Sequence, residues 1–161
     1  MLDKAREDAL WRIRKFRNKN AHAQNDPYET SEFRGNLLLN EGINELWTLV
    51  CGTGGTAYDN SNARLGVGDS STAASASQTG LQAASNKLFK AMDTGYPTYG
   101  TSQKAVFKAT FASDEANFDW EEFTVVNAAD DTGENLNRKV SSEGTKSSGE
   151  IWELTLEITL S

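Results

Sequence analysis

The chain has 161 residues, enough for one domain with a real core, and holds 16 Lys and Arg against 23 Asp and Glu for a net charge of −7. One cysteine, Cys51, excludes an internal disulfide, and with a single histidine, His22, it leaves no Cys/His cluster for zinc, so neither metal nor cofactor is expected. The start is charged and not signal-like, and no run reaches the length of a membrane span, so we expect a protein kept soluble in the cell that makes it, with no membrane partner.

The first stretch reads two ways. Leu2, Ala5, Ala9, Ile13 and Phe16 fit a helical stripe, whereas Trp11 to Phe16 alternates like a strand. A short helix followed by two extended segments is favoured, giving an N-terminal arm over residues 1–35 ahead of a domain at 36–161. Residues 1–19 carry a charge of +4 against −11 for the remainder. A basic arm on an acidic body predicts contact with an acidic surface, and a protein surface fits better than nucleic acid, whose ligands place the basic face on the domain itself. The arm residues best suited to that contact are Trp11, Arg12, Ile13, Arg14, Lys15, Phe16 and Arg17, with Tyr28 and Phe33 beyond the polar break at 18–27. Having no core of its own, the arm must lay its aromatics on its own domain or on a neighbour.

One helix is predicted from Asn40, as N-cap, to Val50, with Ile43, Leu46, Trp47 and Val50 on one face packing across a sheet and Gly52 ending it. Cys51 then reads as a small buried hydrophobe. The glycine-rich 52–62 segment lacks the lysine and flanking elements of a phosphate-binding loop. Ala63 to Gly68 predicts a strand, Asp69 to Gly80 a long loop, Leu88 to Met92 a strand, and Asp93 to Gly100 a turn. Lys104 to Ala112 puts Ala105, Phe107, Ala109 and Phe111 on one face, and Phe118 to Asn127 carries Trp120, Phe123 and Val125 as core candidates. Leu136 to Val140 is a short strand. Ile151 to Leu160 alternates most regularly, with Trp152, Leu154, Leu156, Ile158 and Leu160 facing inward. The expected fold is therefore mainly β, an antiparallel sandwich or jelly roll with one packed helix and an extended N-terminal arm.

Catalytic patterns are poor. Strand alternation would put Asp119 and Glu121 on one face as a carboxylate pair, but acids on a wet strand face are the ordinary case. Asp130, Asp131 and Glu134 do not match a calcium loop, and His22, isolated in the arm, serves no nucleophile. No enzymatic activity is expected.

From Gly35 onward the residues resemble a family. The stretches GNLLLNEGINELWTLVCG at 35–52, ARLGVGDSSTAASASQTGLQA at 63–83, KAMDTGYPTYG at 90–100, ATFASDEANFDWEEFTVVN at 109–127, LNRKV at 136–140 and LTLEITLS at 154–161 resemble small virion structural proteins of tailed bacteriophages and prophages. The resemblance implies a protein made in the host cytoplasm and carried on the capsid exterior. It implies a decoration, or cement, role and by analogy a homo-oligomer, a trimer; that the arm clamps the major capsid protein is read from the arm's own charges and aromatics, since the resemblance covers the arm least. The alternative within the same resemblance is a tail or fibre module that reads the host surface through the loops at Asp69, Ser70, Ser71 and Thr72 and at Tyr96 and Tyr99. The resemblance brings no catalytic or metal residues with it.

Overall fold

A computed structural model describes residues 6–161. Strand β1 (Glu7–Phe16) is followed by a single helical turn α1 (Lys19–Ala23), then β2 (Glu29–Arg34), β3 (Leu37–Leu38) and helix α2 (Asn40–Cys51). The remainder is all β: β4 (Arg64–Gly68), β5 (Lys87–Ala91), β6 (Thr98–Thr101), β7 (Lys104–Phe111), β8 (Glu122–Val126), β9 (Asn137–Val140) and β10 (Ile151–Leu160). They form two five-stranded sheets, β2-β1-β10-β7-β6 and β3-β9-β8-β4-β5, every pairing antiparallel. The protein is thus mainly β, in a sandwich-like arrangement as the alternation predicts, with two helices, the short one falling at Lys19–Ala23 after β1 and not ahead of the extended segments.

The sheets meet through their apolar rows. From the first come Trp11, Ile13, Phe107, Ala109, Phe111, Trp152, Leu154 and Leu156; from the second, Leu65, Val67, Phe123 and Val125, all in one buried cluster. Trp120, just before β8, sits between the layers, its ring 4.8 Å from both Phe111 and Trp152. Its indole Nε1 donates to Ala116 O at 3.0 Å, so the buried polar end is satisfied. Burying side chains of this size stabilises by roughly 1.5–3 kcal/mol each, which is why the core-facing positions of β10 tolerate no polar residue. Leu160 departs from that row and stands 52% exposed.

The segment expected to be an arm is part of the sandwich. β1 lies between β2 and β10 with Trp11 opposite Leu156 and Ile13 opposite Leu154, and Trp11, Ile13 and Phe16 are fully buried. Strand alternation therefore prevails over the helical stripe, and the boundary at residue 35 is not a domain boundary. Several of its charges are paired within the protein, mostly inside the segment itself. Arg12 pairs with Glu32 at 2.7 Å, Arg14 with Glu153 at 3.0 Å, Lys15 with Glu29 at 2.6 Å, and Arg34 with Asp8 at 2.9 Å. Lys15, though charged, is buried, its ammonium 4.5 Å from the Trp152 ring centre and donating to Glu143 O at 2.7 Å. The part of the expected helical stripe at Leu2 and Ala5 lies outside the described residues.

Helix α2 also departs from expectation. Leu39, fully buried and extended, occupies the N-cap position with no side-chain cap, and Asn40 is the first helical residue. Gly42 is the only buried residue inside the helix. A Cβ there would sit 2.6 Å from Leu136 O and 2.7 Å from Asn135 O, so glycine is what lets the first turn lie directly on the chain leading into β9. Glu41 reinforces this contact by accepting from Asn135 N at 2.8 Å. Past Leu46 the helix runs beyond the sheets. Cys51 is consequently exposed, contrary to its reading as a core residue.

Candidate functional site

Ile43 and Leu46 turn toward the sandwich, but Trp47 and Val50, on the same stripe, are 62% and 73% exposed. An amphipathic helix normally covers its whole apolar stripe, and here, among the described residues, Trp47 and Val50 are left largely open. Beneath the overhang a pocket of about 340 Å³ enters the gap between the sheets. Leu46, Leu38 and Tyr58 line one side, Phe107 and Ile158 the floor, and Leu160 with Gly100 and Gln103 of the β6–β7 turn the other rim. The Tyr58 hydroxyl donates to Glu134 O at 2.8 Å, and burial pushes it well above the ordinary phenol range. Lys104 at the rim is held by Glu157 at 2.5 Å. Tyr99, 76% exposed, projects from β6 beside this rim. The site can take an apolar group; it offers no nucleophile or acid–base pair.

The nine arm residues divide by accessibility. Trp11, Ile13, Lys15 and Phe16 are inside. Phe33 stacks on Trp11 with parallel rings 6.0 Å apart, and Arg14 is spent on Glu153 and Asn25. Arg17 and Tyr28 alone form a new outward feature, the guanidinium 4.9 Å from the ring centre. Tyr28 donates to Glu150 at 2.8 Å, and its hydroxyl is pushed up to about 12 by burial and by that carboxylate.

The loops named as a recognition face do not share a face. Asp69 follows the Gly68 end of β4, whereas Tyr96 O accepts from Asn60 Nδ2 at 2.6 Å, just before the Arg64 end. Five strand residues separate these ends, a span of roughly 16 Å at 3.3 Å per residue. The longer loop is also tied down. Arg138, fully buried, donates through Nε to Glu122 Oε2 at 2.8 Å, its Nη2 lies 2.7 Å from the same oxygen, and its Nη1 donates to Thr72 O at 2.9 Å and Gln78 Oε1 at 3.1 Å. Glu122 in turn accepts from Gln82 N at 2.8 Å and Ala83 N at 2.7 Å. The 69–86 segment is therefore clipped over the outer side of the second sheet. Ser70, by contrast, bonds only within its own turn, to Thr72.

The candidate carboxylates are engaged as braces. Asp119 accepts from Thr145 and Glu121 from Ser142 Oγ at 2.7 Å. Because β8 begins only at Glu122, the alternation invoked for that pair does not apply. Asp130 accepts from Thr132 N at 2.9 Å, and its bonds to Thr132 hold its carboxyl below the ordinary range. Asp131 accepts from Lys87 at 2.7 Å and from Leu81 N at 3.1 Å. No group of three or more His, Cys, Asp and Glu able to hold a metal occurs among the described residues. The sequence signal for the site was the stripe of α2 itself, read as core because nothing local tells where a helix outruns its sheet.

Comparison with protein-family models, with curated proteins and with solved structures gave no match.

Proposed function

We propose that the protein is a structural component of a bacteriophage virion, a capsid decoration protein that binds the exterior of the major capsid protein shell and stabilises it. The observation that supports this reading is the use made of the carboxylates. Asp119, Glu121, Asp130 and Asp131 each fasten a loop of the chain itself, a structural use of acidic groups that supports a role played through the molecule's surface. The sequence resemblance supplies the virion.

A sandwich ordered before it docks loses little chain entropy on binding, and many copies on one lattice let modest contacts act together. With most of the N-terminal segment inside the first sheet, shell contact falls to outward groups such as the Arg17–Tyr28 corner. The test is copy number in purified virions, measured against the major capsid protein. A ratio near unity, or a simple lattice fraction of it, is expected; a handful of copies per particle would move the protein to the tail or fibre and refute decoration.

A further inference from the structure

Among the described residues two lysines are buried, and their surroundings differ. Lys15 has Glu29 as a counter-charge at 2.6 Å, whereas Lys146, fully buried, has no carboxylate in ion-pair contact among the described residues. Its side chain meets two neutral acceptors instead, Ala112 O and Asn117 Oδ1, each at 2.8 Å. A buried amine without a counter-charge favours its neutral form, and burial accordingly lowers Lys146 from its ordinary 10.5. Glu150, Glu115 and Asp114 oppose that shift without reaching ion-pair distance. The neutral amine is the nucleophilic form. The carboxamide it touches is held as well. Asn117 Nδ2 donates to Ser113 O at 3.1 Å, and on the backbone Lys146 N donates to Phe118 O at 3.1 Å while Thr145 bridges to Asp119, so the two side chains leave hydrogen-bonded segments.

We propose that Lys146 and Asn117 form a self-modification site, at which the lysine amine displaces the asparagine amide and leaves a covalent side-chain amide between them. The neutral amine attacks Asn117 Cγ. The Nζ–Cγ bond forms, the Cγ–Nδ2 bond breaks, and a proton from Nζ departs with Nδ2 as ammonia, so no oxidant, reductant or other co-reactant is consumed. Hydrogen bonds meet a carbonyl oxygen near the carboxamide plane, and attack comes from above that plane, so the Asn117 carboxamide has to turn about its last side-chain bond. Asn117 is exposed, which leaves room for that turn and lets solvent relay the proton and carry the ammonia away. Fixing the two groups in contact supplies the proximity that a bimolecular reaction lacks. The nearby acids are engaged elsewhere: Glu115 accepts from Lys90 and Ala112 N, and Glu150 from Tyr28 and Ser147 N. Without an acid–base helper the step is slow. The chain therefore folds with a free, titrating amine and closes the bond as it ages. The product staples the connection between β7 and β8 to the segment entering β10, and it does not depend on the virion reading.

The experiment is mass spectrometry of the full chain, freshly purified and after weeks at neutral and at mildly alkaline pH. Expected is a fraction lighter by one ammonia that grows with time, and faster at the higher pH, where more of the amine is neutral. A digest of the aged protein should contain one branched species joining the peptides that hold Asn117 and Lys146. Lys146→Met removes the nucleophile and Asn117→Ala the electrophile, and the branched peptide should be absent from both. Asn117→Ala keeps the comparison sound should Lys146→Met fold poorly, since its side chain is exposed and circular dichroism should stay at the wild-type signal. An aged mass that stays at the value of the sequence would overturn the proposal. So would a lighter form whose Asn117 peptide is linear, which is the product of ring closure onto asparagine's own backbone, or a branched peptide that joins Lys146 to another residue.

Discussion

Replacing Arg138 by methionine tests the energetic logic of the second sheet. The substitution keeps the aliphatic bulk but removes the charge paired with Glu122, and both side chains are fully buried. Glu122 would keep two backbone donors, from Gln82 and Ala83, and lose the cation. Removing one partner of a buried ion pair costs about 3–5 kcal/mol, because the surviving charge is left without compensation in a medium that solvates it poorly. That is a large share of a total stability of roughly 5–15 kcal/mol. For a domain of this size each kcal/mol moves the unfolding temperature by about 2–4 °C, so a fall of roughly 6–20 °C is expected. Thr72 O and Gln78 Oε1 lose their donor as well, so limited proteolysis should cut within 69–86 before global unfolding. The double variant Arg138→Met with Glu122→Gln should recover part of the loss, since it leaves no buried charge. The reasoning fails if Arg138→Met costs under about 1 kcal/mol in urea unfolding, or if the double variant is less stable than the single one.

Deleting residues 1–34 should abolish cooperative unfolding, because it strips β1 and β2 from the first sheet and with them Trp11, Ile13 and Phe16; a folded 35–161 fragment by NMR would contradict this. Gly42→Ala should destabilise by about 1–3 kcal/mol through overpacking against Asn135 and Leu136, even though alanine is the better helix former by about 1 kcal/mol, and the sign of the change in unfolding temperature decides between the two effects. Glu153 is pulled upward by burial, but the His22 hydrogen bond and the charges of Lys108 and Arg14 outweigh that and hold its carboxyl below the ordinary 4.5. Its contribution is thus fully present above that value and lost as pH falls through the lower folded one, so thermal unfolding between neutrality and acid should fall less steeply in Glu153→Gln. Lys146 is lowered from 10.5 by burial, although Ala112 O and Asn117 Oδ1 each accept from its ammonium at 2.8 Å. Native stability should therefore rise as pH climbs from the lowered folded value toward 10.5, and chemical unfolding of Lys146→Met should lack that rise.

Strands whose two faces differ were legible. β10 and β7 fall within a residue of their expected bounds, as does β4 although it is buried on both faces, and Trp120, Phe123 and Val125 are core as read. What pairs with what was not. Trp11 finds Leu156 across the length of the chain, and no local pattern encodes a partner so distant. The N-terminal charges misled for the same reason, since Glu153, the acid that takes Arg14, lies on the last strand. Nothing in the short Leu136–Val140 strand pattern or in the residues after it marks Arg138 and Lys146 as buried; only the tertiary structure puts them inside, with their hydrogen bonds. Asp119 and Glu121 are read onto a strand that begins at Glu122, one residue after the second of them and three after the first.

β10 is the last strand, yet it lies in the middle of its sheet, between β1 and β7. During synthesis β1 can pair with β2 alone, and its other edge, the side that will receive Ile151 to Leu160, stays bare until those residues have left the ribosome. A bare edge flanked by Trp11 and Ile13 is a template for misplaced strands, and the join that ends its exposure spans nearly the whole chain, which makes it slow. Closure of the first sheet therefore waits for β10, and the yield of soluble protein depends on how that nascent edge is shielded while β10 is being made.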